Sequence, residues 1–93
     1  MEKRRKTFSY HWGSGYVAEE AQVRGQYHLP TLQLLEYTEG EAGGEVSIRF
    51  CHYSHNGMFR RSPLMMSAEE IDMMRDALRE TPRLRELLAK LVQ

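Results

Sequence analysis

The sequence predicts an α+β domain: an antiparallel sheet of about five strands, two hairpins plus one strand, covered on one face by two C-terminal helices. Three observations carry that prediction. Asn56-Gly57 lies between two runs of strand-like alternation, and this dipeptide is the one that best tolerates the positive φ values of a tight type I′ hairpin turn. At Ser67 the apolar period changes from that of a strand to that of a helix. Pro82 then opens a second helical pattern, in which Leu84, Leu87, Leu88, Leu91 and Val92 fall on one stripe.

Taken in order, residues 1–6 (M-E-K-R-R-K) form a basic flexible tail, either a solvated chain end or an arm adding phosphate contacts to a nearby site. Residues 7–12 alternate Phe8, Tyr10 and Trp12 against Ser9 and His11, the pattern of a strand rich in β-favouring aromatics. Gly13-Ser14-Gly15 breaks the run, and a more polar strand follows over 16–24, which makes a hairpin. Residues 31–37 (T-L-Q-L-L-E-Y) are short, apolar and bounded by turn residues, so they read as a third strand. The acidic, glycine-rich turn T-E-G-E-A-G-G leads into strands at 45–54 and 59–66. Ser67-Ala68-Glu69-Glu70 matches a capping box and starts a helix over 68–80, with Ile71, Met74, Ala77 and Leu78 on one face. The second helix spans 82–92, and Arg83, Arg85, Glu86 and Lys90 form its wet side.

A two-residue turn at Asn56-Gly57 would pair Tyr53 with Arg60, Cys51 with Ser62, Arg49 with Leu64 and Ile48 with Met65. Val46, Ile48, Phe50, Phe59 and Met65 then share an apolar face that meets the helices, and Arg49, Cys51, Tyr53, Arg60 and Ser62 share a mixed face with exposed cation and ring. Pro63 cannot donate to the ladder, so it marks an edge strand or a bulge. A bulge there would turn Leu64 and Met66 toward the core in place of Met65.

The totals describe one small domain, residues 1–93, with 41% hydrophobic and 28% charged residues. Net charge is zero and the isoelectric point is near 6.9, without the strong positive field of a dedicated double-helix binder. A single cysteine gives no disulfide framework and fits the reducing cytoplasm, where the protein is expected to reside. No apolar run is long enough for a membrane span. Six methionines are many for this length; they either fill irregular core gaps or line an adaptable contact surface.

Cys51, His52 and His55 resemble a metal cluster only on the page. Strand alternation turns His52 away from Cys51, and no second ligand pair exists elsewhere, so no metal or other cofactor is expected. The same geometry denies Cys51 a base, and Glu69 and Glu70 are explained by capping. Neither phosphate-loop motif is present, and a non-enzymatic role is the expectation. What remains is the mixed sheet face. Arg49, Tyr53 and Arg60, with Arg61 beside them, interleave cation and ring as surfaces that grip single strands do. The plainer reading is a good cross-strand pair between Tyr53 and Arg60.

Ile48-Arg49, Tyr53, the turn at Gly57, Arg60-Arg61, Leu64-Met65-Met66 and Ser67-Ala68-Glu69-Glu70 leading to Leu78 follow one another in a ββα order. In this order residues 31–80 resemble the single-stranded-DNA-binding transcriptional coactivator family, positive cofactor four, and its small bacterial relatives. The chain differs in having Arg61-Ser62-Pro63 where that family has a lysine-glycine pair, in its neutral charge, and in its second helix from Pro82. The resemblance implies a homodimer with a curved sheet that binds single strands, and by position Arg49, Tyr53 and Arg60 as its contacts.

Two functions are therefore expected of the sequence. One is a small binding module that engages single-stranded DNA or RNA on an open sheet face. The alternative is a protein-interaction or homodimerisation domain that uses the Met- and Leu-rich helical surface, where Met73 is the first exposed apolar residue to suspect. In so small a domain the stripe from Leu84 to Val92 also reads simply as core.

Overall fold

A computed structural model describes residues 5–60 and 63–93. Five strands, β1 (Thr7–Tyr10), β2 (Gly13–Gln22), β3 (Leu29–Glu39), β4 (Val46–Tyr53) and β5 (Leu64–Ser67), precede two helices, α1 (Ala68–Ala77) and α2 (Pro82–Ala89). The strands form one antiparallel sheet in sequential order β1-β2-β3-β4-β5. Each helix ends in a 3₁₀ turn, Leu78–Glu80 and Lys90–Val92. The α+β architecture is the one the sequence predicts, with the hairpins merged into a continuous meander.

Local chemistry explains the helix starts. Glu70 N donates to Ser67 Oγ at 3.1 Å and Ser67 N donates to Glu70 Oε1 at 2.9 Å, which closes the capping box and satisfies two amides that the first turn leaves free. Pro82 occupies the first turn of α2, where its missing N–H costs no hydrogen bond.

The first hairpin turns earlier than the glycines suggest. Tyr10 pairs with Gly13, so His11 and Trp12 make the turn, and Gly13 and Gly15 lie inside β2. They are there because β3 passes so close. A Cβ on Gly15 would stand 1.8 Å from the Glu36 carbonyl oxygen, beside a register irregularity between Ser14 and Gly15.

The second hairpin departs further. Ser54 N donates to Met58 O and Gly57 N to Ser54 O, both at 2.8 Å, so the loop spans five residues rather than two. Tyr53 consequently bridges Phe59, not Arg60. Beyond it Arg49 faces Met65, Phe50 faces Leu64 and Ile48 faces Met66, a shift in the opposite direction. The register thus changes between Phe59 and Leu64, the stretch holding Pro63, and Leu64 and Met66 join Ile48 and Phe50 in place of Met65. Arg61 and Ser62 lie outside the described residues.

The face expected to be mixed and open carries the tightest core. Phe8, Leu35 and Tyr37 are buried on it, packed by Tyr10, Trp12, Val17, Ala42 and Met65. The Phe8 and Tyr37 rings meet edge to face at 5.0 Å, and Trp12 Nε1 donates to Tyr37 Oη at 2.9 Å. The sheet curls so that β1 closes over this inner face. Arg5 and Lys6 join the closure and are not part of a loose tail: Val17 N donates to Lys6 O at 2.8 Å, and the Arg5 guanidinium lies 4.4 Å from the Tyr16 ring centroid.

The outer face, with Leu32, Leu34, Ile48, Phe50 and Met66, meets the helices across an apolar cleft of about 820 Å³. α1 packs on β4 and β5, whereas the backbone of α2 runs close only to the 3₁₀ turns that flank it and reaches the cleft through side chains such as Leu88. No residue of either helix is buried. The leucine stripe is therefore not the closed core that its periodicity suggests. Met73 is exposed as expected but lies off the cleft, which Met74 lines instead.

Candidate functional site

The three described residues of the predicted site, Arg49, Tyr53 and Arg60, do not form one open surface. Arg49 and Tyr53 share the inner face but are only 5% and 7% exposed, so neither is the free cation or stacking ring that alternation predicts. Arg60 is exposed and its backbone N–H donates to His52 O at 3.1 Å. Arg61 lies outside the described residues. The inward turn of Arg49 follows from the curl, which lays Phe8 and Tyr10 of β1 over it, while Tyr53 is covered by Lys6 and Phe59.

Around Arg49 the inner face holds a continuous polar network. Gln33, directly opposite Arg49 on β3 and 2% exposed, is its hub. Arg49 Nε donates to Gln33 Oε1 at 2.7 Å, and Gln33 Nε2 donates to Glu20 Oε2 at 2.7 Å and to Tyr53 Oη at 2.9 Å. Arg49 Nη1 donates to Tyr10 Oη at 2.8 Å, and its guanidinium stacks on Phe59 at 4.7 Å. Lys6 Nζ pairs with Glu20 Oε2 at 2.7 Å and sits 4.4 Å from the Tyr53 ring centroid. Among the described residues no carboxylate forms an ion pair with Arg49, so the hydrogen bonds that hold this buried charge come from neutral groups. A cleft of about 580 Å³ opens beside it, lined by Lys6, Phe8, Tyr10, Arg49, Tyr53 and Phe59 among others.

Gln33 and Tyr10 escape a reading by motif. The available signal was Gln33 itself, a lone amide in the apolar run T-L-Q-L-L, on the same side of the strand as Thr31 and Leu35. Its amide orientation suits every neighbour, with the carbonyl accepting from Arg49 and the NH₂ donating to Glu20 and Tyr53.

Cys51 lies on the inner face with Sγ 3.5 Å from Gln33 Oε1. Burial pushes its thiol pKa up, and the neighbouring Arg49 only partly opposes this, so the thiolate a nucleophile needs is disfavoured. His52 is exposed and packs against His28 with ring centroids 4.8 Å apart, and His55 Nε2 lies 3.0 Å from Gly25 O. Cys51, His52 and His55 thus have separate surroundings. Among the described residues no three His, Cys, Asp or Glu side chains are grouped to hold a metal ion.

The second candidate surface is the outer cleft. Its lining is mainly apolar, with Leu34, Ile48 and Phe50 from the sheet, Leu88 from α2 and Leu91 from the 3₁₀ turn after it, and it also includes Glu19, Arg75 and Arg85. Among the described residues no helix is long and apolar enough to cross a membrane. No protein-family model, curated protein or solved structure matches this chain.

Proposed function

We propose that this chain is a non-enzymatic interaction module whose outer cleft docks an apolar protein surface. One observation carries the reading: the helices bury none of their residues, yet they turn Ile71, Met74, Leu78, Leu88 and Leu91 toward an apolar sheet face that is itself only half covered. Contiguous exposed apolar surface on this scale marks a contact site in soluble proteins. The stripe and the inner core lie on opposite sides of the sheet, so they respond separately to substitution. Leu88→Glu is expected to preserve the near-ultraviolet circular dichroism of Trp12 and Tyr37. Loss of that signal would make the stripe an ordinary part of the chain's own core and end the reading.

A second reading, a grip on single-stranded DNA or RNA, is favoured by the buried guanidinium of Arg49 beside an aromatic-lined cleft, with Lys6 lining the cleft and Arg60 exposed next to Phe59. In this reading the half-exposed Phe59 ring replaces Tyr53 as the stacking platform. Base stacking on an aromatic ring contributes about 1–3 kcal/mol. Phe59→Ala is expected to weaken binding of a labelled oligothymidine accordingly, and Arg60→Ala to lower the salt slope by less than about one unit. Absence of binding by the unaltered protein at low salt removes this reading.

A further inference from the structure

We infer that the inner cleft is a binding site for a small aromatic carboxylate, held at its charged end by Arg49 and Tyr10 and packed along its ring by Phe8, Tyr53 and Phe59. The inference goes beyond both readings above and rests on the donors that the polar network leaves over. A guanidinium carries five N–H groups. Arg49 uses Nε on Gln33 Oε1 and Nη1 on Tyr10 Oη, and among the described residues Nη2 has no acceptor. Among those residues no buried side-chain nitrogen lacks a partner, so Nη2 is not sealed in but reaches the cleft that Arg49 lines. Tyr10 lines the same cleft, and its phenol accepts from Arg49 while its own O–H has no acceptor among the described residues. Arg49 is only 5% exposed, and a buried cation without an anionic partner is costly. An anion accepting from Nη2 and the phenol removes that cost.

Charge and depth choose the anion. Lys6 and Arg49 are the charged residues lining the cleft, and Lys6 already pairs with Glu20 at 2.7 Å. The charge left over is that of Arg49, which a carboxylate matches; a phosphate monoester brings roughly 1.5 to 2 negative charges. Phe8, Arg49 and Tyr53 are all buried. A phosphate within a nucleic-acid strand carries a sugar on each side, and both would have to enter with it, whereas a terminal carboxylate goes in head first. The volume of about 580 Å³ suits a small molecule, for which sites run to roughly 300–1,000 Å³. The ring walls select a flat apolar body, since aromatic pairs gain from edge and offset contact, and the 41% exposed Phe59 borders the opening.

The test is a titration of the full chain with benzoate, benzamide, phenyl phosphate and an oligothymidine, followed by the nitrogen-15 signal of the Arg49 Nε–H. Benzoate is expected to shift that signal to saturation and to bind about tenfold or more tighter than benzamide, its uncharged counterpart, and tighter than phenyl phosphate. Arg49→Met should weaken benzoate by about tenfold or more, with the near-ultraviolet circular dichroism of Trp12 as the folding check. If that variant does not fold, the ratio of benzoate to benzamide on the unaltered protein decides alone. Equal binding of the two, a benzoate response that does not saturate, or an unmoved Arg49 signal would overturn the inference. Tighter binding of phenyl phosphate would overturn it as well. An oligothymidine that moves the signal where benzoate does not would give the cleft to the single-strand reading and overturn the inference. Saturation by benzoate without oligothymidine binding supports it and removes the single-strand reading.

Discussion

Arg49 and Tyr10 meet through a 2.8 Å hydrogen bond from guanidinium to phenol, although 39 residues separate them and their strands are not neighbours in the sheet. The contact exists because the sheet curls, and it converts a surface cation into a buried one. A buried guanidinium held by the neutral acceptors Gln33 Oε1 and Tyr10 Oη depends on each of them, since loss of one exposes the cost of desolvation.

Tyr10→Phe removes the acceptor and leaves Arg49 Nη1 short of a partner. Hydrogen bonds to charged groups contribute about 1.5–3 kcal/mol, and a loss in that range is expected in urea denaturation. In an Arg49→Met background the same change should cost much less, because no charge remains to be satisfied. Equal costs in the two backgrounds would show that the phenol acts by packing alone.

Tyr53→Ala and Arg60→Ala separate the buried ring from the exposed cation. Truncating a buried aromatic residue costs about 3–5 kcal/mol. Arg60→Ala, at an exposed position that forms no ion pair among the described residues, should stay within about 0.5 kcal/mol. Chemical denaturation of the two variants is the check, and similar midpoints would mean that Tyr53 is not held in the inner core.

Gly15→Ala tests the close passage of β2 over β3. The added methyl would collide with the Glu36 carbonyl oxygen, a backbone atom that cannot swing aside. Overpacking of this kind costs about 1–3 kcal/mol or more, whereas Ser14→Ala next door should stay within about 0.5 kcal/mol. A Gly15→Ala protein as stable as the parent would show that the strands can separate there freely.

Alkaline pH should weaken the fold. Burial raises the Cys51 thiol above its ordinary 9.0. The Tyr16 phenol, which donates to the Glu36 carboxylate, is raised above 10.0. At Lys6 burial pulls downward, but the Glu20 carboxylate and the Tyr53 phenol outweigh it and the ammonium is raised above 10.5. In each case the unfolded chain releases its proton first as pH rises. Stability from these groups is therefore complete below about pH 9 and is lost as pH climbs through the folded values. Urea midpoints from pH 7 to 11 are expected to fall above pH 9, and Cys51→Ser should move the onset upward. A midpoint that rises over this interval would reverse the assignment.

The order of elements was legible in the chain because it rests on local physics. Alternating residues make strands, the Ser67–Glu70 box starts one helix and Pro82 starts the next, and each signal lies within a few residues of the structure it forms. The register of the last hairpin was only half legible. Pro63 announced an irregularity, but the five-residue loop closed by Ser54 and Met58 set where the pairing slipped. Which face of the sheet becomes core was not legible at all. Alternation divides Ile48 and Phe50 from Arg49 and Tyr53 but is silent on which set β1 will cover, and the more apolar set was the natural choice. The tertiary structure decided otherwise, because curling brings Phe8 and Tyr10 over Arg49 and gives its charge neutral partners from strands far away in sequence. That same curl leaves Ile48, Phe50 and the leucine stripe as apolar surface that the single chain does not close.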